Sequence, residues 1–197
     1  MELILIRHGL PELIVTDDGR PADPPLTEQG HAQAAATAAF LSRDPLDRIY
    51  SSPLRRAHQT ALPLAERMGL EIEIEPRVAE YDRDSDTYIP LEELKRTDPV
   101  AWRDFMKLGY PEGMDLDQFR HDVVAAMEEI IADNRGRRVA VVCHGGVINA
   151  WASHILDMGF RAFLDARYAS VNRFMAAGGG ERSVMSLNEA AHLRELL

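Results

Sequence analysis

Three short segments hold residues whose types and spacing suit chemistry on a phosphate group. Arg7-His8-Gly9 follows the apolar run Leu3-Ile4-Leu5-Ile6, and His144-Gly145-Gly146 follows Val139-Ala140-Val141-Val142-Cys143. The third segment is Ser51-Ser52-Pro53-Leu54-Arg55-Arg56-Ala57. Arginine grips a phosphate with two parallel hydrogen bonds, and a neutral imidazole nitrogen is a competent nucleophile toward phosphorus. Glycine beside the histidine is read as allowing a ligand close to the backbone.

The elements that must position these groups follow from patterning. Two short β-branched runs read as buried strands of a parallel sheet, and open α/β sheets bind ligands beyond the carboxyl ends of their strands. His8 and His144 are therefore expected to face one crevice. The serine-rich segment reads as a strand-to-helix junction, where free N–H groups and the helix dipole favour an anion. Arg56 lies in the first turn of that helix, with Arg55 about 100° away around it.

Along the chain, strands and helices alternate as βαβ crossovers require. A Pro-rich loop spans Leu10 to Pro25, and Thr27 caps an alanine-rich helix to about Ser42. A strand is predicted over Asp47 to Tyr50, and then a helix from Pro53 to Met68 with Gly69 as its C′ residue. Pro63 is expected to kink that helix or end it early. Glu71 to Glu75 alternates as a half-exposed strand. Apolar residues at Leu116, Phe119, Val123, Met127 and Ile130 predict one amphipathic helix from Asp115 to Asn134. Another helix is expected to about Met158, then a hairpin of strands near Ala169 to Ala176 and Arg182 to Leu187. Residues 80–114, acidic and rich in Pro and Gly, read as a small cap of short helices and loops. The expected fold is a three-layer α/β/α sandwich in one domain, residues 1–197, with a mostly parallel sheet and this cap inserted.

Bulk properties narrow the partners. With 197 residues, 46% of them apolar, the chain is long enough for a sizeable core. Its formal net charge of −10 argues against nucleic acid or an anionic membrane as a partner. A single cysteine, Cys143, excludes an internal disulfide and fits a reducing compartment. The first residues lack a signal peptide's pattern, and no apolar run reaches spanning length, so the expected location is cytoplasmic. A homodimer is left open.

Taken together, these segments resemble the histidine phosphatase superfamily, also called phosphoglycerate mutase-like. The matching residues are Arg7-His8-Gly9, Ser51 to Ala57 with Thr60-Ala61, Glu80, and His144-Gly145-Gly146. Pro25 to Gly30 with Gln33-Ala34, and Leu187-Asn188 with His192-Leu193, agree with them. The resemblance implies that His8 is the nucleophile and forms a phosphohistidine. Arg7, Arg56 and His144 would then bind the phosphoryl oxygens, and Glu80 would serve as general acid and base. It implies no metal and no other cofactor, and a small phosphorylated substrate.

The residues after Glu80 depart from the family's pattern, so Asp82 and Asp84 stand as alternative acids. Where the mutases continue after Arg-His-Gly with an acidic residue, a Ser and a Trp-Asn pair, this chain has Leu10-Pro11-Glu12-Leu13. Asn149 stands where their second His-Gly segment goes on to Arg. A phosphatase is therefore expected, with a phosphoglycerate mutase and a non-catalytic phosphate-binding module as the alternatives. Arg83, Lys95, Arg96 and Arg103 are candidates to hold a second anionic group. Cys143 is expected to be a core thiol facing away from His144, and Gly178-Gly179-Gly180 a turn.

Overall fold

The computed structural model describes residues 1–100, 102–103 and 115–196. Its strands are β1 (Glu2–Arg7), β2 (Ile14–Val15), β3 (Arg48–Ser51), β4 (Ile72–Ile74), β5 (Thr87–Tyr88), β6 (Arg138–Cys143), β7 (Val171–Ala176) and β8 (Arg182–Glu189). The helices are α1 (Glu28–Leu41), α2 (Arg55–Met68), α3 (Leu91–Thr97), α4 (Leu116–Asp133) and α5 (Gly145–Ile155). Six strands form the central sheet in the order β4-β3-β6-β1-β7-β8. The first four are parallel, and β7 and β8 add an antiparallel hairpin at the far side.

Strand alternation sorts the core into two layers. Leu3, Leu5, Val139, Val141 and Cys143 pack with Val123, Met127, Val147 and Trp151 of α4 and α5. Ile4, Ile6, Ala140 and Val142 pack on the opposite face with Leu41 of α1 and Ala57, Ala61 and Leu64 of α2. The result is the expected α/β/α sandwich with a mostly parallel sheet. Cys143 is fully buried in the first layer and is a free thiol, as strand alternation predicts.

Local chemistry explains most boundaries. Thr27 Oγ1 accepts the Gly30 N–H at 2.9 Å and starts α1. Asp115 caps α4 in the same way through the Gln118 N–H, and the helix spans the predicted stretch. Several expectations need correction. α2 begins at Arg55 rather than Pro53, because Ser52 Oγ takes the Leu54 N–H and the Asp23 carboxylate takes the Arg55 N–H. Pro63 does not end α2, which continues to Met68 and closes on Gly69 in the left-handed region. Burial of Ala61, Leu64 and Ala65 around it offsets the roughly 3 kcal/mol that proline costs in a helix interior. α5 ends at Ile155, short of Met158, where Asp157 turns left-handed at φ 52°. Ala169 also has positive φ, 57°, so β7 starts after it.

The loop at Leu10–Pro25 is not free of structure. β2 within it pairs antiparallel with β5, Ile14 opposite Tyr88 and Val15 opposite Thr87. Two-residue strands carry no readable period, so patterning could not find them. This small ladder ties the loop after Arg7-His8-Gly9 to the segment after Glu80. Of the expected cap, residues 101 and 104–114 lie outside the described residues.

Candidate active site

The ladder register brings the two histidines together. Arg7 pairs with Cys143 across β1 and β6, and the His8 N–H continues the ladder to the Cys143 carbonyl at 3.0 Å. One residue past each strand, the rings of His8 and His144 lie 5.1 Å apart, centroid to centroid. Both side chains are buried, as are Arg7, Arg56 and Glu80. All but His144 line one cavity of about 90 Å³, together with Asp82 and Tyr88.

Each group is held in a definite way. His8 Nδ1 lies 2.7 Å from the Gly9 carbonyl oxygen, which can only accept, so Nδ1 carries the proton and Nε2 the lone pair. His144 is held by the opposite nitrogen. Its Nε2 lies 2.8 Å from Ser52 Oγ, and its buried Nδ1 has no hydrogen-bond partner among the described residues. Arg7 donates from Nη1 to the Ala166 carbonyl, and its guanidinium lies 3.8 Å over the Tyr168 ring. Arg56 lies 4.4 Å over the Tyr88 ring and reaches the Asp82 carboxylate at 3.4 Å. Stacking on tyrosine faces holds both cations flat without neutralising them.

Electrostatics then sets protonation. Burial, with Arg56 and Arg7 close by, holds the His8 imidazole well below its usual 6.5, so it stays neutral. His144 is lowered for the same reasons, with His8 as a further cause. Glu80 moves the other way: burial first, and then the Asp82 charge, push it up to about 7. Its carboxylate accepts the Gly146 N–H at 2.8 Å and the Tyr81 N–H at 3.2 Å. A buried carboxyl titrating near neutrality is suited to proton transfer at that pH.

The glycines have other reasons than the one expected. A Cβ at Gly9 would strike the Gly30 carbonyl of α1, and one at Gly146 would strike the Glu80 carboxylate. Backbone packing at Gly9 and the Glu80 carboxylate at Gly146 are each a reason for glycine in addition to the one expected.

The alternative acids separate. Asp82 lines the cavity but pairs with Arg56, whereas the Asp84 side chain is 87% exposed and faces a different groove. Among the described residues, no three His, Cys, Asp or Glu side chains converge as metal ligands. No described helix is long and apolar enough to cross a membrane.

Comparison with known proteins agrees with this geometry. A family model described as the histidine phosphatase superfamily (branch 1) matches residues 3–189. The chain belongs to the histidine phosphatase superfamily. It is 31% identical over 203 residues to phosphoserine phosphatase 1 of Hydrogenobacter thermophilus, covering 99% of this chain and 95% of that protein. It is 32% identical over 173 residues to glucosyl-3-phosphoglycerate phosphatase of Mycobacterium tuberculosis, covering 79% of this chain and 75% of that protein. Among solved structures, the phosphoserine phosphatase of Entamoeba histolytica in complex with 3-phosphoglyceric acid superposes with a TM-score of 0.75. It is 25% identical, and the match covers 98% of each chain. By membership and by these relatives, the chain is a phosphatase of that superfamily.

Within this histidine phosphatase, sequence reasoning missed several residues that hold the site. Asn149 bonds the Gly145 carbonyl and both backbone groups of Leu164, at 2.9 Å each. That fixes the segment carrying Ala166 and Tyr168 against Arg7. Asn188 bonds the Arg167 N–H and the Asp165 carbonyl of the same segment, while Thr37 bonds the Ala169 carbonyl and meets His192. Thr60 accepts the Gly9 N–H at 2.9 Å. Thr60, Asn188 and His192 stand in the segments that carried the resemblance, but their partners are far away in sequence. Tyr88 and Tyr168 carried no signal at all.

Proposed function

We propose that this protein hydrolyses a small phosphomonoester through a phosphohistidine on His8, with Glu80 as general acid and then general base. The observation that carries the reading is the His8 Nδ1–Gly9 contact, which leaves Nε2 as the free nucleophilic nitrogen beside two arginines. Nε2 attacks phosphorus as the bond from phosphorus to the ester oxygen breaks, and protonated Glu80 gives its proton to the departing alcohol. Water then attacks the phosphohistidine, Glu80 takes the water proton, and the P–N electron pair returns to Nε2. One water is consumed; an alcohol and inorganic phosphate leave.

Arg7, Arg56 and His144 bind the three phosphoryl oxygens, offsetting charge that spreads over them in the transition state. A neutral His144 donates from Nδ1 when its Nε2 carries the lone pair, and a hydrogen bond donated by the Ser52 hydroxyl to Nε2 favours that tautomer. The positive charge in this scheme comes from the chain's own side chains. Asn149 supports hydrolysis over mutase chemistry: its amide is committed to backbone, where a mutase places a cation.

The test is phosphate release from a panel of phosphomonoesters without added metal, beside His8→Ala, with acid-labile labelling of the protein. Turnover that survives His8→Ala, or that depends on a divalent metal, overturns the mechanism. Conversion between 3- and 2-phosphoglycerate faster than phosphate release, with a bisphosphoglycerate primer, overturns the hydrolase reading.

A further inference from the structure

The geometry points to a substrate whose alcohol portion carries an ammonium group rather than a second anion; this inference rests on the phosphatase reading above. Arg7 and Arg56 are the cations lining the cavity among the described residues, and both belong to the phosphoryl end. The other ionisable groups on the lining, beyond His8 and Glu80, are Asp82, Asp165 and tyrosines. A second anion on the substrate would meet carboxylates there, and an ammonium would be attracted by them.

The candidate cations for a second anion turn elsewhere. Arg83 faces a separate groove and pairs with Asp84 at 3.6 Å, its side chain 54% exposed. Arg96 pairs with Glu93 on the surface of α3, and Lys95 lies 4.8 Å over the Trp102 ring. Arg103 is exposed. None of the four lines the catalytic cavity.

Asp82 adds a reason that depends on binding. Its carboxylate is three-quarters buried and shares Arg56 at 3.4 Å in the free site. A bound phosphoryl group draws on the same guanidinium and leaves Asp82 under-compensated. An ammonium two carbons from the ester oxygen restores a partner to it, while a carboxylate there adds a third negative charge to the neighbourhood. A partly buried carboxylate without its cation is costly, so this coupling favours aminoalkyl esters at the step where binding occurs.

The experiment compares three esters that differ in one group: phosphoethanolamine, ethyl phosphate and phosphoglycolate. kcat/KM is measured for each with the wild-type protein, Asp82→Asn and Asp165→Asn, and read as ratios within each protein. The expected wild-type order is ammonium, neutral, carboxylate, with about tenfold between steps, and at least one variant compresses it to roughly threefold. Phosphoglycolate turned over as well as phosphoethanolamine, or ratios unchanged in both variants, overturns the inference and leaves the phosphatase reading standing. No hydrolysis of phosphoethanolamine while other phosphomonoesters of the panel release phosphate also overturns the inference and leaves that reading standing. No phosphate release from any ester of the panel removes the reading and this inference with it.

Discussion

The ends of β1 and β6 are near copies in sequence, an apolar run followed by histidine and glycine, yet they leave opposite nitrogens of the imidazole free. His8 is tied at Nδ1 by a carbonyl of its own loop, and His144 is tied at Nε2 by a serine from the neighbouring junction. A carbonyl only accepts, so His8 must offer a lone pair. A hydroxyl can donate, so His144 can offer an N–H. The same residue type at matched positions thereby exposes a lone pair on one strand and can expose an N–H on the other, which is what the proposed roles of nucleophile and oxyanion donor require. The glycines diverge too: Gly9 admits the backbone of α1, and Gly146 seats the Glu80 carboxylate.

That contrast can be broken experimentally. The largest effect belongs to His8→Ala, which should lower kcat by at least about 10³-fold and abolish acid-labile labelling. His144→Ala should cost roughly 10²- to 10³-fold but still label, slowly, if its role is the charge stabilisation proposed for it. Equal loss of labelling in both variants would erase the distinction between the two strand ends.

Glu80→Gln should cost about 10²- to 10⁴-fold with an alkyl ester, and less with p-nitrophenyl phosphate, whose leaving group needs no proton. Glu80 must be protonated to act as acid, and it is pushed up to about 7. Activity therefore falls as pH rises through that value, and Glu80→Gln removes this limb from the profile. His8, lowered below its usual 6.5, keeps its lone pair on the acid side, so kcat/KM should not fall as pH drops through 6.5. A decline there would contradict the buried, cation-flanked setting described for that ring.

A smaller effect is expected of Ser52→Ala, about tenfold in kcat, since His144 would lose the hydrogen bond that selects its tautomer. Ser52→Thr, which retains the hydroxyl, should recover most of it; a loss as large as that of Ser52→Ala would show a packing role only. Smallest on chemistry is Asn149→Ala. Three hydrogen bonds to backbone disappear, so the melting temperature should fall with a loss of about 1–3 kcal/mol, while kcat changes severalfold. A stability unchanged within error would show that the segment carrying Tyr168 is held by its other contacts, to Arg7, Asn188 and Thr37, without Asn149.

The legible part of the site was its strand-borne part. Leu3 to Ile6 and Val139 to Cys143 carry unbroken apolar runs, and burial on both faces demands such runs, so their ends could be located from the sequence. Arg56 was legible because a helix must start after the strand ending at Ser51. Glu80 was legible only through resemblance, since a carboxylate in an irregular acidic segment has no period to betray it. The kink or early end expected at Pro63 failed as to the ending because proline's local cost was weighed without the core contacts of α2. The β2–β5 pairing, Tyr88 and Tyr168 were invisible for a related reason: each depends on a partner distant in the chain.

The sequence by itself determined the layered α/β fold, the two buried strands and the residue types at their ends, because hydrophobic period and local capping act over a few residues. Only the tertiary structure decided which nitrogen each histidine exposes, that Glu80 is buried against Gly146, and that Asp82 and Asp165 join the cavity lining beyond the arginines. Those outcomes depend on hydrogen-bond direction and desolvation, and both are set by neighbours that the chain brings together only on folding.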